Sequence, residues 1–331
     1  MPAVTVHIVT YNSAATIESC LESVLAQGIP TGQIVVVDNA SKDDSRRLVQ
    51  QHGIPVITNA TNVGYAAAHN QALRQQHSAY VLTLNPDTRL HPGFIDAMVN
   101  ALEQQPQVGS AAATLYRVEC LGDRAVTVDG AGLYLHPNRR QALWYEGCPL
   151  EDVPTTPRLI FGVDGAAAFY RRAMLEDIAI DDEIFDETFF MHKEDVDVAW
   201  RAQWRGWTAL HVPSARADHI RGFRPGQRRS ISAALRFYAA RNRYLLLLKN
   251  ECWHTFLHDG AAIATYDMAI LAYLLAFERS SLRALPAAFG LRHALHHKHA
   301  FIQRTKRIDW RDMLNALRLR PSTPMSAMRM K

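Results

Sequence analysis

The sequence predicts an α/β fold in which a mostly parallel sheet carries helices on both faces. Two observations lead to this prediction. Short β-branched runs alternate with segments of helical spacing through the first hundred residues. The runs are also apolar, as is typical of strands that are buried on both faces. This alternation indicates βαβ units, whose strands lie parallel to one another.

The strands and helices follow in order from these patterns. Four runs are predicted as strands: Val4–Val9, Ile34–Val37, Pro55–Thr58 and Tyr80–Leu84. Three helices are predicted from apolar residues three or four positions apart: Ile17, Leu21, Val24 and Leu25; Ala68, Ala72 and Leu73; Phe94, Met98, Val99 and Leu102. A further helix is predicted over Ser45–Gln51, with Ser41 as its N-cap.

Polar residues follow every predicted strand. In chain order they are Thr10-Tyr11-Asn12, Asp38-Asn39, Asn59 and Asn85-Pro86-Asp87. Asn and Asp are common in turns, so each of them alone has an ordinary structural explanation. Because ligands of parallel sheets bind beyond the carboxyl ends of the strands, their recurrence at four successive ends predicts a binding site there.

The composition describes a folded chain. Its 331 residues are 48% hydrophobic and 21% charged, with no repeat or low-complexity tract, which excludes disordered, collagen-like and coiled-coil proteins. Four scattered cysteines without a CxxC pair predict reduced thiols, not a disulfide framework or a zinc site. The N-terminus runs straight into a strand pattern, so we expect no signal peptide and a cytoplasmic protein.

Charge is distributed unevenly along the chain. Residues 1–215 contain 15 Lys and Arg against 25 Asp and Glu, whereas residues 216–331 contain 21 against 7. The basic C-terminal part is therefore expected to prefer an anionic surface or ligand. It contains no nucleic-acid-binding motif, so no nucleic-acid partner is expected. The absence of GxGxxG and GxxxxGK[ST] also argues against a dinucleotide-binding dehydrogenase and a P-loop enzyme.

The segment 189–207 combines an apolar stripe with carboxylates. Glu194 and Asp195 stand where a helix is predicted to begin, and Val196, Trp200, Trp204 and Trp207 then follow at spacings of four, four and three. Acidic residues stabilise a helix N-terminus, which is one explanation for them. The other explanation is a catalytic carboxylate. Asp197 faces Arg201 at i+4 and is expected to be structural.

Several ordered motifs together resemble a known family. In chain order they are VTVHIVTYN, IVVVDNASKDDS, NVGYAAAHNQAL, LTLNPDT, FGVDGAAAFYRRAML, FFMHKEDVDVAWRAQWRGW and RFYAARNRYLLLLKN. They resemble the inverting, GT-A-type glycosyltransferases of family 2, in particular the rhamnosyltransferase-like branch that builds bacterial cell-surface polysaccharides. The resemblance spans roughly residues 4–250. It implies a GT-A catalytic domain over residues 1–229, followed by a basic, mostly helical region over 230–331.

The resemblance also implies roles for individual residues. Asp195 would be the catalytic base, with Glu194 orienting its neighbours, and Asp38 would recognise the base or ribose of the nucleotide. The remaining nucleotide-binding positions would be Thr10, Tyr11, Asn12, Asn62, Gly64, Asn70 and Asn85. Asp164 and Gly165 would border the donor sugar, although the glycines at 162 and 165 could also simply form a turn.

A divalent metal, Mg²⁺ or Mn²⁺, is implied by the same resemblance. Asp87 would bind it, with His219 approaching from the far side. The acidic motif of the family often begins with Asp, and here it reads Asn85-Pro86-Asp87, so one carboxylate remains to hold the metal. The departing nucleoside diphosphate needs its growing charge neutralised, which a metal or basic groups can do.

The basic region offers two further features. Arg221 and Arg224 belong to a loop that could contact a diphosphate or a lipid-linked acceptor. The stretch 261–277 is strongly apolar but contains Asp267, which predicts an interfacial or buried helix, and membrane-surface contact competes with a dimer interface and a core helix. His293, His296, His297 and His299 are predicted to belong to a basic helix face, not a metal site.

The sequence thus predicts a metal-assisted, inverting glycosyltransferase at the inner face of the membrane. The resemblance implies dTDP-L-rhamnose as donor and a lipid-linked or growing surface saccharide as acceptor. Two alternatives remain. The first is the same reaction with a UDP-hexose, and the second is a non-catalytic nucleotide-sugar-binding subunit of a polysaccharide assembly complex.

Overall fold

The computed structural model describes residues 3–222 and 231–321. The strands are β1 Val4–Thr10, β2 Ile34–Asp38, β3 Val56–Thr58, β4 Tyr80–Leu84, β5 Thr88–Leu90, β6 Val108–Arg117, β7 Thr127–Gly130, β8 Leu133–Leu135, β9 Gln141–Leu143, β10 Arg158–Ile160, β11 Ala167–Arg171 and β12 Thr208–His219. The helices are α1 Ile17–Leu25, α2 Ser45–Gln51, α3 Tyr65–Gln75, α4 Phe94–Glu103, α5 Arg172–Asp177, α6 Glu194–Trp204, α7 Ala233–Asn250, α8 Trp253–Phe277, α9 Ala284–Gly290, α10 Arg292–Thr305 and α11 Trp310–Leu317.

The predicted α/β class is confirmed, and the sheet is mixed. Eight strands follow one another across it in the order β10-β12-β6-β11-β4-β1-β2-β3, while β5 pairs with β12 and β7 pairs with β6. The first four strands are parallel, as predicted. The second half departs from the prediction of a mostly parallel sheet, because β11 inserts antiparallel between β4 and β6.

Helices cover both faces of the parallel half. Alternate residues of β1 and β2, such as Ile8 and Val36, belong to the apolar cluster that contains α1 and α4. The intervening residues, such as Val9 and Val37, pack with Ala68 of α3 on the opposite face. Because successive side chains of a strand point to opposite faces, strands buried on both sides are apolar throughout.

The long strand β12 carries residues to the carboxyl edge of the sheet. Its end pairs with β5, so that His219 lies opposite Thr88, the residue that follows Asp87 in the chain. The same strand pairs with β6, which places His219 opposite Arg117. An irregularity in the β6–β7 ladder brings Asp129 to this corner.

The C-terminal helices pack against α6 through apolar and ionic contacts. Trp200 and Trp204 belong to one buried cluster with residues of α7, α10 and α11. The buried Lys249 ammonium of α7 contacts Asp186 Oδ2 at 2.7 Å and Asp197 Oδ2 at 2.9 Å. Asp197 also forms the predicted ion pair with Arg201, at 2.9 Å. The flanks of α6 are thus anchored to the C-terminal region.

Helix α8 begins earlier than the predicted apolar stretch and is largely exposed. Among the described residues it is the single helix whose length and composition would allow it to cross a membrane. Its most apolar window has a mean hydropathy of 1.6, and 11% of that window is buried. Its exposed apolar stripe consists of Trp253, Leu257, Met268, Leu271 and Leu275. A core helix is therefore excluded for this segment.

The buried ion pairs of Lys249 make a stability prediction. We expect Lys249→Met to lower the free energy of unfolding by about 3–5 kcal/mol, because removing one partner leaves buried carboxylates undercompensated. Urea denaturation followed by circular dichroism measures this change. As a control, Arg47→Met breaks an exposed pair with Asp44 and should have little effect. Equal effects of the two substitutions would contradict the buried anchor.

Candidate active site

Two buried polar atoms at the ends of β1 and β2 lack a hydrogen-bond partner among the described residues. Thr10 lies opposite Asp38 in the parallel register, and both residues are fully buried. Asp38 Oδ2 accepts a hydrogen bond from the Ser41 amide at 3.0 Å, but Asp38 Oδ1 and the Thr10 hydroxyl have no partner among the described residues. A buried oxygen of this kind is costly when unpaired, so this corner is suited to a ligand that donates hydrogen bonds.

The loop after β1 holds its own shape. Asn12 adopts a φ of +54°, and its side-chain oxygen accepts a bond from the Lys42 amide at 2.8 Å. The backbone amide of Asn12 donates to the Ser41 hydroxyl at 2.9 Å. Ser41 is not the helix cap that the sequence predicted, because α2 begins four residues later, at Ser45, with Asp44 at its N-cap. Tyr11 is 50% exposed beside this loop and is free to cover a ligand.

The turn before α3 is built on a glycine that the fold requires. Gly64 has a φ of +91°, and a Cβ there would lie 2.6 Å from the Phe190 ring. The Asn62 side-chain oxygen accepts a hydrogen bond from the Gly64 amide at 2.9 Å. Next to it, the Tyr65 hydroxyl donates to the Gly165 carbonyl at 3.0 Å. This turn lies between the corner at Thr10 and Asp38 and the part of the site around Gly165.

Asn70 departs from the predicted nucleotide contact. Its side-chain amide donates to the Phe185 carbonyl at 2.8 Å and to Glu187 at 3.0 Å, and its oxygen accepts from the Phe185 amide at 3.0 Å. All three bonds are directed at the loop before α6. The structure therefore gives Asn70 a role in shaping that loop, because its side chain is occupied there.

Asp87, His219 and Asp129 form the second corner of the site. Asn85, before the aspartate, is fixed by a bond from its amide to the Ala166 carbonyl at 2.9 Å. Asp87 Oδ1 is buried, accepts no hydrogen bond from the part of the chain that the structure describes, and lies 3.5 Å from His219 Nε2. The other ring nitrogen, Nδ1, lies 2.7 Å from Asp129 Oδ2. Although burial opposes it, the two carboxylates raise the pKa of His219 to about 9.

Asp129 connects this corner, through Arg221, to Asp164. Arg117 and Arg221 both donate to Asp129 Oδ1, at 3.1 Å and 2.7 Å. Although burial would raise it, bonds from His219 and Arg221 hold the pKa of Asp129 far below its usual range. Arg221 also reaches Asp164 Oδ2 at 3.2 Å. Arg221, predicted to contact a diphosphate or an acceptor, thus pairs with two carboxylates of the protein. Arg224, predicted with it, lies outside the described residues.

Glu194 and Asp195 stand together at the first turn of α6. The Gly165 amide donates to Asp195 Oδ2 at 3.2 Å. The structure thus brings Gly165, predicted to border the donor sugar, into contact with the predicted base Asp195. Glu194 Oε2 is buried and has no partner among the residues described. Burial is the main cause that raises the pKa of both carboxyls, and the charge of Asp195 raises that of Glu194 further. A carboxyl with a raised pKa is suited to accept a proton near neutral pH.

The two glycines of the 162–165 segment differ. A Cβ at Gly162 would lie 2.2 Å from Ala199 Cβ, so this glycine allows α6 to approach closely. A Cβ at Gly165 would lie 3.8 Å from Asp195, an ordinary distance, so Gly165 borders the site. The first glycine is therefore explained by packing, while the second remains available to a ligand.

The residues at the second corner fit a divalent metal as part of a larger ligand set. Asp87 offers a buried oxygen 3.5 Å from His219 Nε2, and a carboxylate holds the other ring nitrogen, Nδ1, as is usual for metal-binding histidines. Within residues 3–222 and 231–321, no group of three or more His, Cys, Asp or Glu side chains could hold a metal. Diphosphate oxygens and water would have to complete the coordination.

Asp129 is the main residue that sequence reasoning missed. It lies inside the short strand β7, directly after Val128 and one residue before the strand ends at Gly130. A carboxylate near a strand end is the kind of signal that singled out Asp38 and Asp87, and the same reasoning applied to residues 127–130 would have identified it. Tyr65 gave no comparable signal, because its importance comes from contacts between residues 100 positions apart.

Comparisons with known proteins identify relatives of this chain. Residues 5–179 match the family model described as glycosyl transferase family 2. The N-acetylglucosaminyl-diphospho-decaprenol L-rhamnosyltransferase of Mycobacterium tuberculosis is 26% identical over 240 residues, which cover 66% of this chain and 76% of the relative. The poly-beta-1,6-N-acetyl-D-glucosamine synthase of Staphylococcus aureus is 21% identical over 221 residues, covering 65% of this chain and 49% of the synthase.

Solved structures share the fold. GalNAc-T7 with UDP, GalNAc and Mn²⁺ has a TM-score of 0.59 at 14% identity, covering 75% of this chain and 48% of its own. The mannosyltransferase PcManGT from Pyrobaculum calidifontis, in complex with GDP-Man and Mn²⁺, has a TM-score of 0.52 at 20% identity, covering 92% and 86%. At these identities the likeness shows the fold, which is the predicted GT-A fold with a helical C-terminal region.

The family match covers more than half of the chain. The M. tuberculosis relative lies in the rhamnosyltransferase-like branch that the motifs indicated. The chain is a glycosyltransferase and belongs to glycosyl transferase family 2.

Proposed function

We propose that this protein is an inverting, metal-assisted rhamnosyltransferase that moves L-rhamnose from dTDP-L-rhamnose to a lipid-linked or growing cell-surface saccharide. The observation that carries the proposal is a continuous chain of polar contacts between the candidate base and the candidate metal ligand. It runs from Asp195 to the Gly165 amide, continues through the peptide bond to Asp164, and then passes through Arg221, Asp129 and His219 to Asp87. The donor and acceptor are suggested by the name of the M. tuberculosis relative.

Asp195 would act as the base. As the acceptor oxygen bonds the anomeric carbon, its proton passes to the Asp195 carboxylate, and the bond to the nucleoside diphosphate breaks on the opposite face. The Gly165 amide holds one carboxylate oxygen and the Val196 amide holds the other, at 2.8 Å, so the group is fixed before the substrate arrives. Such fixed geometry contributes to catalysis by orienting the reacting groups.

The diphosphate would be bound at the Asp87 corner. Asp87 and His219 would hold Mg²⁺ or Mn²⁺, which neutralises the negative charge of the leaving diphosphate when it is bound. Arg221 adds a cation that is already oriented by Asp129 at 2.7 Å. Asp38 and Thr10 would take the base or ribose, since their unpaired buried oxygens accept hydrogen bonds.

The two alternatives differ in what they would leave unexplained. A UDP-hexose donor would use the same corners, and it is tested directly by the nucleotide preference. A non-catalytic binding subunit would gain nothing from Glu194, whose buried Oε2 has no hydrogen-bond partner within residues 3–222 and 231–321. Keeping such a group costs stability, which favours the catalytic role.

The exposed apolar stripe of α8 would place the enzyme on the inner face of the membrane. The stripe lies in the basic part of the chain, where Lys and Arg outnumber Asp and Glu by 21 to 7 over residues 216–331. An apolar face with basic surroundings is typical of helices that lie on anionic membranes. The relative named above acts on a diphospho-decaprenol, by its name. A homodimer through the same stripe is the competing arrangement.

Asp195→Asn tests the base. We expect kcat to fall about 10²–10⁴-fold, because the amide cannot accept the proton, while nucleotide binding is unchanged. Transfer from dTDP-L-rhamnose to a lipid-linked acceptor is measured beside binding. Glu194→Gln is the matched comparison and should retain more activity. If Glu194→Gln abolishes turnover while Asp195→Asn retains it, Glu194 is the base instead.

Thermal stabilisation tests the two corners of the site separately. We expect dTDP with Mn²⁺ or Mg²⁺ to stabilise the wild type by about 2.7 kcal/mol at 100 times the Kd of dTDP. UDP at the same concentration should stabilise it less. Asp38→Ala should remove the shift with and without metal. Asp87→Asn should remove only the additional shift that the metal provides, and the exposed Asp96→Asn should change neither.

The outcomes of this panel are distinct. A larger shift with UDP would favour the UDP-hexose alternative. Retention of the full metal-dependent shift by Asp87→Asn would contradict the proposed metal ligand.

Vesicle flotation tests the α8 stripe. We expect the wild type to float with vesicles that contain phosphatidylglycerol, and Met268→Glu with Leu271→Glu to weaken this binding about tenfold or more. Val126→Glu, at an exposed apolar residue elsewhere, is the control. If the protein does not float and the double variant converts a dimer to a monomer on size exclusion, the stripe is a dimer interface.

A further inference from the structure

The turn before α6 has an unusual backbone conformation. After the short 3₁₀ helix Glu187–Phe189, three residues that are not glycine have positive φ: Phe190 at +63°, His192 at +70° and Lys193 at +78°. Side chains disfavour this region, and such conformations persist only when surrounding contacts impose them. The turn leads directly into Glu194 and Asp195, so its conformation determines where the two carboxylates lie.

A single side chain of α7 imposes much of that conformation. Asn242 is fully buried, and its Nδ2 lies 2.9 Å from the Phe189 carbonyl, 2.8 Å from that of Met191 and 2.7 Å from that of His192. The amide has two hydrogens, so three carbonyls share them. The neighbouring Arg241 donates to the Asn242 oxygen at 3.0 Å, which orients the amide.

The turn is also fixed on its other side. The Phe190 carbonyl accepts a bond from the Tyr65 amide at 2.6 Å, and the Tyr65 hydroxyl donates to the carbonyl of Gly165, whose amide holds Asp195. The half-buried Lys193 ammonium donates to Gln141 at 2.7 Å. The carboxylate is therefore held in a closed ring of contacts, and Asn242 supplies the part that comes from the C-terminal helices.

We infer that Asn242 is a positioning residue for the transfer reaction, which holds the Phe189–His192 turn so that Asp195 faces the acceptor; this inference rests on the proposed function. Asn242 does not touch the substrates. It acts through the turn, so its loss should slow the chemical step and leave donor binding intact. The sequence motif RFYAARNRYLLLLKN contains it, and no other role in the reaction uses that segment.

The experiment compares two isosteric changes on one helix. Asn242→Leu removes the donors to the turn. Asn250→Leu is the matched comparison, because Asn250 is equally buried on α7 but its amide bonds Asp197 and the Leu246 carbonyl, not the turn. Rates are divided by the number of sites that bind dTDP, so that unfolded protein does not count. We expect Asn242→Leu to lower kcat about 100-fold with the donor KM within twofold, and Asn250→Leu to lower kcat by about fivefold at most.

Amide hydrogen exchange gives a readout that does not depend on activity. We expect residues 188–193 to exchange faster in Asn242→Leu and to keep the wild-type rate in Asn250→Leu. Unchanged exchange, or a kcat within twofold of the wild type, would overturn the inference alone. Equal losses of kcat in both variants would overturn it too. A wild type that binds dTDP but transfers no sugar would overturn the proposed function, and the inference with it.

Discussion

Buried charge has to be compensated, and this requirement ties together parts of the chain that are far apart in sequence. Asp129 is surrounded by Arg117 at the end of β6 and by His219 and Arg221 at and just after the end of β12. Asp186 and Asp197 are compensated by the ammonium of Lys249. The first set shapes the site and the second fixes the helix that carries the candidate base. Both sets are needed because apolar packing alone gives no direction to a carboxylate.

The same principle changes how the charge asymmetry is understood. The sequence suggested that the basic region would favour an anionic surface. In the structure, part of its positive charge is paired inside the molecule: Lys298 contacts Asp186 at 2.8 Å, and Arg307 contacts Asp177 at 2.8 Å. The acidic body and the basic helices are thus complementary to each other, and only the remaining cations are available to a membrane or a diphosphate.

The parallel half of the fold could be predicted because it depends on local patterns. Apolar runs with polar ends located β1 to β4 to within two residues and identified Asp38 and Asp87. The insertion of β11 between β4 and β6 could not be predicted, since strand order is set by pairing across long separations. Asn70 was assigned by its position in a motif, but its side chain is occupied by Phe185 and Glu187. A motif gives a residue's position, and its partners are determined by the fold.

The turn at 190–193 has a consequence for engineering this protein. Glycine adopts positive φ without penalty, so glycine at Phe190, His192 or Lys193 would relieve local strain. Conventional stabilisation would choose these three positions. Yet a relaxed turn would be able to move, and the carboxylates behind it would lose their fixed direction. If Asp195 is the base, as proposed, a variant made more thermostable at this turn would be a slower enzyme.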